Sequence, residues 1–185
     1  TGSPLYVYKS KATTLYLPEG TASTLTDGTD YTFSDSYSSA EEEEPNACLY
    51  SKSDLIIAGS GSLTVNANYN NGITGKDTLF IQKASVTVTA VNHGINGKDS
   101  LTIKDADITV TSGGDALRSP NDSDPTQGYL VITGSALKLT AGEDGIQAET
   151  TLTISGGTAT VTTAGGAGQS ISNDISAKGL KAGTQ

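Results

Sequence analysis

Acidic and amide side chains concentrate in one stretch of the sequence, GGDALRSPNDSDPTQGYLVI, at residues 113–132. Asp115 comes first, and an insertion of seven residues then supplies Asn121, Asp122 and Asp124. Carboxylate and amide oxygens are the ligands that Ca²⁺ prefers in proteins. The stretch therefore suggests a calcium site. The alternative is a soluble turn rich in Asp and Asn, because both residues favour turns on their own account.

The insertion interrupts an internal repeat. The segments GITGKDTLFIQKASVTVTA (72–90) and GINGKDSLTIKDADITVTS (94–112) match at a spacing of 22 residues, and related segments precede and follow them. Each unit holds three short strand-like pieces whose apolar positions recur from unit to unit. One unit cannot bury its apolar face alone, whereas stacked units bury a continuous column. We therefore expect an all-β fold, a right-handed single-stranded parallel β-helix (β-solenoid) with about 22 residues per coil.

The repeat also predicts the domain organisation. Residues 1–185 form a single β-helix domain, with one looped insertion at 34–46 and a second at 120–129. The four glutamates at 41–44 are typical of a solvated, mobile segment. Both ends of the sequence fall within a coil, and solenoids normally carry polar caps at their ends. We therefore expect a longer solenoid, continued by further coils of the same or an adjoining chain.

Composition and charge exclude several classes of partner. The formal net charge is −9, so a nucleic acid would be repelled. No apolar run approaches the roughly 20 residues that a membrane-spanning helix needs, so we expect no membrane insertion. The single cysteine, Cys48, cannot form an internal disulfide, and it occupies a repeat position that is glycine elsewhere.

Positions one repeat apart become neighbours in a stacked solenoid. Asn71, His93, Asp115 and Asp144 occupy the same position, so Asp115 and Asp144 are expected on adjacent coils. Two carboxylates this close repel each other unless a proton or cation lies between them. The acidic loop lies beside the same corner. The predicted calcium ligands are Asp115, Asn121, Asp122, Asp124, Asp144, Glu149 and Glu143.

Basic residues near this corner offer a second chemistry. Lys76 and Lys98 repeat on adjacent coils, and Arg118 follows Asp115 by three residues. A basic side chain near calcium can remove the proton α to a carboxylate, as a general base does. The alternative is a surface ladder of charges that compensate one another. His93 is expected as a polar neighbour in its column rather than as a general base.

Paired threonines mark a third surface. Thr87 and Thr89, Thr109 and Thr111, and Thr160 and Thr162 repeat a T-x-T pattern with the hydroxyls facing outward. Flat threonine arrays of this kind resemble those of ice-binding proteins. Lys138 and Asn66 interrupt the two columns, and threonine is common in strands for its own reasons.

Four segments carry a family resemblance. YNNGITGKDTL, HGINGKDSLTI, GGDALRSPNDSD…GYLVI and DGIQAETTLTISGG resemble the secreted carbohydrate-binding β-helix family of polysaccharide-degrading anaerobic bacteria. The resemblance implies a fold related to pectate lyases. It further implies binding of calcium, cellulose and acidic sugars such as polygalacturonate, in a secreted or cell-surface protein. The family's GGDGIK motif is GGDALR here, with Ala116 in place of glycine, and Pro120 replaces a residue that is often polar.

These observations combine into one functional expectation. We expect a calcium-assisted carbohydrate-binding module for acidic plant-type polysaccharide, in which a bound cation bridges the acidic protein to the uronate sugars. No catalytic residue is assigned. The alternatives are a calcium-dependent polysaccharide lyase and a structural stalk or adhesin segment stiffened by calcium. Tyr69 is expected either to stack on a sugar ring or to pack internally. The predicted carbohydrate-binding residues are Arg118, Lys98, Lys76, His93, Asn71 and Tyr69.

Overall fold

Parallel strands build the whole of the described structure. A computed structural model describes residues 2–166, 168–170, 172 and 175–183, and these contain strands and turns but no helix. Nothing in these ranges forms a helix of the length and hydropathy needed to cross a bilayer. The strands fall into three sheets, which we call A, B and C, and successive strands of the described residues enter the three sheets in turn.

The strands pair only with those of the preceding and following coils. Sheet A contains β1 (Leu5–Val7), β4 (Ala47–Ser51), β7 (Asn71–Gly75), β10 (Ile95–Gly97), β13 (Leu117–Ser119), β16 (Ile146–Ala148) and β19 (Leu180–Ala182). Sheet B contains β2 (Ala12–Tyr16), β5 (Asp54–Ala58), β8 (Thr78–Gln82), β11 (Ser100–Lys104), β14 (Tyr129–Thr133) and β17 (Leu152–Ser155). Sheet C contains β3 (Ala22–Thr26), β6 (Ser62–Ala67), β9 (Ser85–Ala90), β12 (Asp107–Ser112), β15 (Ala136–Ala141) and β18 (Thr158–Thr163).

The core is a set of apolar ladders that run through the stack. In sheet A, Ile73 pairs with Ile95, which pairs with Leu117, and Leu117 pairs with Ile146. All four side chains are fully buried. The predicted all-β class and the predicted stacking of apolar positions are confirmed, and the architecture is consistent with a β-helix or solenoid. Its right-handedness, its coil length and its continuation into further coils stay predictions.

Close packing explains the glycine at the corner before sheet A. A Cβ on Gly94 would lie 2.3 Å from Val110 Cγ1 and 2.6 Å from the Ala116 carbonyl oxygen, so the corner of that coil has no room for a side chain. Ala116 occupies the same corner one coil later. In that later coil Leu139 replaces Val110 in the core ladder. Leucine lacks the branch at Cβ, so the side-chain clash described for Gly94 is removed at Ala116.

The insertion at 34–46 is packed against the protein. Three of its four consecutive glutamates are exposed, but Glu44 is only 5% exposed. Glu44 forms ion pairs with Lys52, at 3.2 Å, and with Lys76. An antiparallel bridge between Ser39 and Glu44 closes the loop. The prediction of a wholly solvated acidic segment is therefore wrong at Glu44, because two neighbouring coils supply lysines that offset the cost of burying the carboxylate.

Candidate functional site

A single column of polar side chains lies on the outer face of sheet A. The register pairs Thr74 with Asn96, Asn96 with Arg118, and Arg118 with Gln147. We call these four residues the outer column. Each follows a core residue by one position, so strand alternation directs it away from the core. Tyr50 extends the column at one end and Lys181 at the other.

The outer column is recessed, and each of its four residues has one polar atom without a partner. Thr74 is 3% exposed and Gln147 is 8% exposed, although both occupy outward positions of a sheet. Thr74 Oγ1, Asn96 Oδ1, Arg118 Nε and Gln147 Oε1 are buried without a hydrogen-bond partner among the described residues. Leaving such a group unsatisfied costs about 1–3 kcal/mol. Four in one line, on adjacent coils, are spare hydrogen-bonding capacity that an extended polar ligand could use if these side chains turned toward it.

A ladder of side-chain-to-backbone hydrogen bonds borders one side of the column. Asn71 Oδ1 accepts from the His93 N–H (3.2 Å), and His93 Nδ1 accepts from the Asp115 N–H (2.9 Å). Asp115 Oδ1 accepts from the Asp144 N–H (2.9 Å), and Asp144 Oδ1 accepts from the Lys178 N–H (2.8 Å). Each of these side chains therefore ties its coil to the next one. Sequence reasoning placed these residues in one column but missed this role, although every position carries a hydrogen-bond acceptor.

Arg118 is held at the centre of the site. Its Nη1 lies 3.6 Å from Asp115 Oδ2 and also contacts His93 Nε2. Burial and, as a smaller cause, the charge of Arg118 together lower the pKa of His93 to about 4, so the imidazole is neutral at pH 7. A guanidinium has five N–H donors, and the contacts with Asp115 and His93 involve Nη1 alone, so Arg118 keeps donors for another acceptor.

The two carboxylates predicted on adjacent coils do lie next to each other, and each has a cation beside it. Asp144 accepts from the Ser176 hydroxyl (2.7 Å) and lies 3.4 Å from Lys181 Nζ. Burial raises the pKa of Asp115. Arg118 and the Asp144 N–H oppose this effect, and the charges of Asp144 and Glu143 add to it. Asp144 is thus satisfied by the protein, whereas Asp115 keeps one oxygen turned toward Arg118.

The acidic loop uses most of its polar atoms to hold its own shape. Asn121 is buried, donates to Asp99 Oδ1 (2.6 Å) and Gln127 Oε1 (2.6 Å), and accepts from the Ser123 N–H (3.0 Å). Asp124 accepts from the backbone and hydroxyl of Thr126, which lowers its pKa.

The other two loop-side carboxylates are placed differently. The Asp122 side chain is exposed. Glu149 is half-buried on the next coil and accepts from Gln147 Nε2 at 3.3 Å, which puts it beside the outer column. The loop therefore forms a rigid wall next to the column, and Glu149 is the predicted ligand that reaches it.

Three side chains on the ladder side form a group that could hold a cation. One ligand atom from each of His93, Asp115 and Glu143 lies within 4.8 Å of the others. Asp115 and Glu143 were predicted as ligands, whereas His93 was predicted as a carbohydrate contact and as a polar neighbour in its column. Its shared repeat position with Asp115 was the signal that could have added it to the ligands.

The remaining predicted contacts are divided between the site and the protein interior. Lys98 is exposed next to the column, whereas Lys76 is bound to Glu44. Tyr69 stacks on Tyr31, with ring centroids 4.2 Å apart and an angle of 10° between the rings. Packing thus occupies one face of the Tyr69 ring.

The fold and the site together define a class of protein: a three-sheet, all-parallel β structure with a recessed line of hydrogen-bonding groups along one face. The chain belongs to the carbohydrate-binding domain-containing family, which it matches over residues 1–185. It is 48% identical over 152 residues to a carbohydrate-binding domain-containing protein of Acetivibrio thermocellus, a match that covers 82% of this chain and 52% of the relative. The chain thus spans about half the length of that relative.

A solved structure supports the fold. The chain is similar to a polysaccharide lyase-like protein from C. thermocellum, solved as a gadolinium derivative, with a TM-score of 0.85 and 34% identity. The similarity covers 98% of this chain and 66% of that one. The likeness extends over the described coils and includes the sheet that carries the outer column.

Proposed function

We propose that the chain binds an extended polysaccharide along the outer column of sheet A, and that this polysaccharide carries carboxylate groups. The observation that carries the proposal is the line of buried, unpaired polar atoms on four adjacent coils. Sugar hydroxyls can both donate and accept, so a bound chain satisfies carbonyl, hydroxyl and guanidinium groups in turn. Neighbouring coils are about 4.8 Å apart, so the four residues span about 14 Å.

Arg118 is the reason for proposing an acidic sugar. A guanidinium binds a carboxylate through paired hydrogen bonds, and such charge-assisted bonds are roughly twice as strong as neutral ones. Lys98 and Lys181 flank Arg118 along the same face. Asp115 and Asp144 compensate the charges of Arg118 and Lys181, so a uronate polymer still meets the repulsion of a net charge of −9, and a bound cation would have to offset it. Polygalacturonate is the acidic polymer that we propose, with cellulose as its uncharged counterpart, and a secreted or cell-surface location follows from such ligands.

We also propose that Ca²⁺ assists this binding. Asp115 and Glu143 supply the oxygen donors that the ion prefers, and they belong to the group within 4.8 Å. Asp144 fits less well, since its oxygens already accept from Ser176 and Lys178. A cation beside Asp115 would supply the positive charge through which a sugar carboxylate can be bridged to the protein.

A lyase is the second candidate, favoured by the structural neighbour that is called polysaccharide lyase-like. Arg118, Lys98 and Lys76 are the residues that could remove a proton. The ion pair with Glu44 makes Lys76 the weakest of the three. A lyase would release unsaturated uronide, which is detected by its ultraviolet absorbance, whereas a binding module would not. If the chain is instead a structural stalk, Ca²⁺ should raise its melting temperature and no sugar should bind.

The test is depletion from solution. The protein is mixed with insoluble de-esterified pectin and, separately, with cellulose, in Ca²⁺ and in chelator. We expect pectin to deplete the wild type in Ca²⁺ and the double variant Asp115→Asn, Glu143→Gln to lose the response to Ca²⁺. Asp107→Asn, an exposed carboxylate on sheet C, is the matched control. The absence of depletion by either polymer in both buffers would contradict the proposal.

A further inference from the structure

A second possible binding site lies at the other end of sheet A. The N-terminal coil and the insertion at 34–46 enclose a pocket of about 310 Å³. Its walls include the rings of Tyr6, Tyr31 and Phe33 and the polar side chains of Asp35 and Ser38. Serine, threonine and aspartate make up half of the lining residues, so the pocket combines three aromatic rings with many hydrogen-bonding groups, and its volume lies at the lower end of the range for ligand pockets.

The aromatic walls are fixed before any ligand arrives. The Tyr6 hydroxyl donates to the Tyr37 carbonyl at 2.8 Å. The Tyr31 hydroxyl donates to Asp27 Oδ2 at 2.8 Å, and its ring stacks on Tyr69. Two causes raise the pKa of Tyr31: burial is the larger, and the hydrogen bond to Asp27 is the next. The hydroxyl therefore keeps its proton and remains a donor. A pre-organised pocket loses little conformational freedom on binding.

The charge around the pocket selects an uncharged ligand. Asp35 lines it, and its Oδ1 accepts from the Tyr37 and Ser38 N–H groups, bonds that lower its pKa and keep the carboxylate ionised. These bonds use Oδ1 alone. Glu44 is adjacent in sequence to Pro45, which also lines the pocket. A sugar carboxylate would meet like charge here, whereas sugar hydroxyls can donate to Asp35 and lie against the aromatic rings.

The pocket is in line with the outer column. Tyr6 pairs with Tyr50, and Tyr50 pairs with Thr74. The same line of paired residues continues through Asn96 to Arg118, so Tyr6 lies at one end of the line. Four coil steps separate Tyr6 from Arg118, or about 19 Å. We propose that the pocket is a subsite for a neutral sugar, and that the protein recognises a polysaccharide whose uncharged sugar lies at the Tyr6 end and whose acidic sugar lies at Arg118.

The pocket is argued independently of the proposed function. Only the path of the polysaccharide between the pocket and Arg118 rests on the proposed function.

The experiment measures the affinity of the purified protein for two uncharged probes, cellotetraose and mannotetraose, and for trigalacturonate, by calorimetric titration. The variants are Phe33→Ala and Asp35→Asn. Asparagine keeps the Oδ1 acceptor for the loop N–H groups, so the second variant preserves the loop. Tyr16→Ala, an aromatic residue on sheet B that is 65% exposed, is the matched control.

We expect the affinity for an uncharged probe to fall by about tenfold in Phe33→Ala or Asp35→Asn and to stay unchanged in Tyr16→Ala. Trigalacturonate binding should be the same in both pocket variants and should fall in Arg118→Ala. If the wild type binds no uncharged probe, or both pocket variants bind the probes as the wild type does, the proposal is overturned. If the uncharged probe binds at the pocket but trigalacturonate does not bind at all, the pocket stands and the proposed acidic site fails.

Discussion

The outer faces of sheets A and C are built from the same coils and have opposite surfaces. On sheet A the outward residues are recessed and carry unpaired polar atoms. On sheet C the outward residues form two long columns in which threonine dominates. The first column is Thr24, Thr64, Thr87, Thr109, Lys138 and Thr160, and the second is Thr26, Asn66, Thr89, Thr111, Thr140 and Thr162.

The difference arises from what surrounds each sheet. The strands of sheet C in the central coils are six residues long, and their outward threonines are exposed. The later strands of sheet A are three residues long, and acceptor side chains and both insertions stand beside the sheet. A recessed site thus forms where the repeat is interrupted, while the regular face stays flat. Loops commonly carry function on a regular scaffold in this way.

The largest expected effect concerns His93, whose neutral ring borders the column. The unfolded state takes up a proton near pH 6.5, while the folded state, with a pKa of about 4, does not. The stability that His93 contributes is therefore complete above pH 6.5 and is lost as the pH falls toward 4. We expect His93→Asn to remove about 3 kcal/mol of this pH-dependent change, because asparagine serves the same ladder at Asn71.

The measurement is urea unfolding of wild type and His93→Asn at several pH values between 4 and 7.5. The two proteins should have similar stability at neutral pH, and the wild type should become the less stable of the two as the pH falls toward 4. Parallel stability curves for the two proteins would show that the ring does not titrate as described.

Glu44 is the next test, because it holds the insertion against the Tyr50 end of sheet A. Burial acts to raise the pKa of Glu44, but the contacts with Lys76 and Lys52 outweigh it, and the pKa is lowered. We expect Glu44→Ala to reduce the free energy of unfolding by about 2 kcal/mol, since it leaves Lys52 and Lys76 without their partner.

The matched control is Glu42→Ala, an exposed glutamate of the same run, which should change stability by less than about 0.5 kcal/mol. Chemical denaturation of both variants measures the difference. Equal effects would mean that the buried ion pairs contribute nothing beyond general surface charge.

Steric blocking compares the two faces directly. Asn96→Trp places a large ring between Thr74 and Arg118 in the outer column, whereas Thr109→Trp places one on the exposed face of sheet C. We expect the first to weaken polysaccharide binding by about tenfold and the second to leave it unchanged. The protein has no native tryptophan, so the fluorescence of each variant also reports whether its own face meets the ligand. A signal change only at position 109 would reverse the assignment of the faces.

The smallest expected effect is on the threonine face itself. Thr109→Val keeps the β-branched shape at an exposed strand position. Stability should change by less than about 0.5 kcal/mol, and polysaccharide binding should not change. Thermal unfolding and the pectin depletion assay provide the two readouts. Weaker polysaccharide binding by this variant would show that the threonine columns of sheet C contribute to binding, contrary to this account.

The ladders of the fold could be predicted because stacking repeats the same contacts at every coil. Ile73, Ile95 and Leu117 recur at the same repeat position, and no other arrangement buries all of them. The recess could not be predicted in the same way. It depends on how the two insertions fold back, and the burial of Glu44 depends on lysines from two other coils.

The candidate site shows the same limit. The adjacency of Asp115 and Asp144 followed from the repeat, but the partners of their oxygens did not, because Ser176 and Lys181 come from a distant, irregular segment. Arg118 was predicted as a sugar contact from its type and position alone. The local geometry, which the repeat does not specify, places Asp115 and His93 at Nη1 and leaves Nε without a partner.

The most direct test of the central claim removes one positive charge from each face. Arg118→Ala acts on the outer column, and Lys138→Ala removes an exposed cation from sheet C. The affinity of both variants for soluble polygalacturonate is measured at one salt concentration and compared with the wild type. We expect Arg118→Ala to bind at least about tenfold more weakly and Lys138→Ala to bind as the wild type does. Equal losses in the two variants would show that binding follows overall charge, and the outer column of sheet A would not be the site.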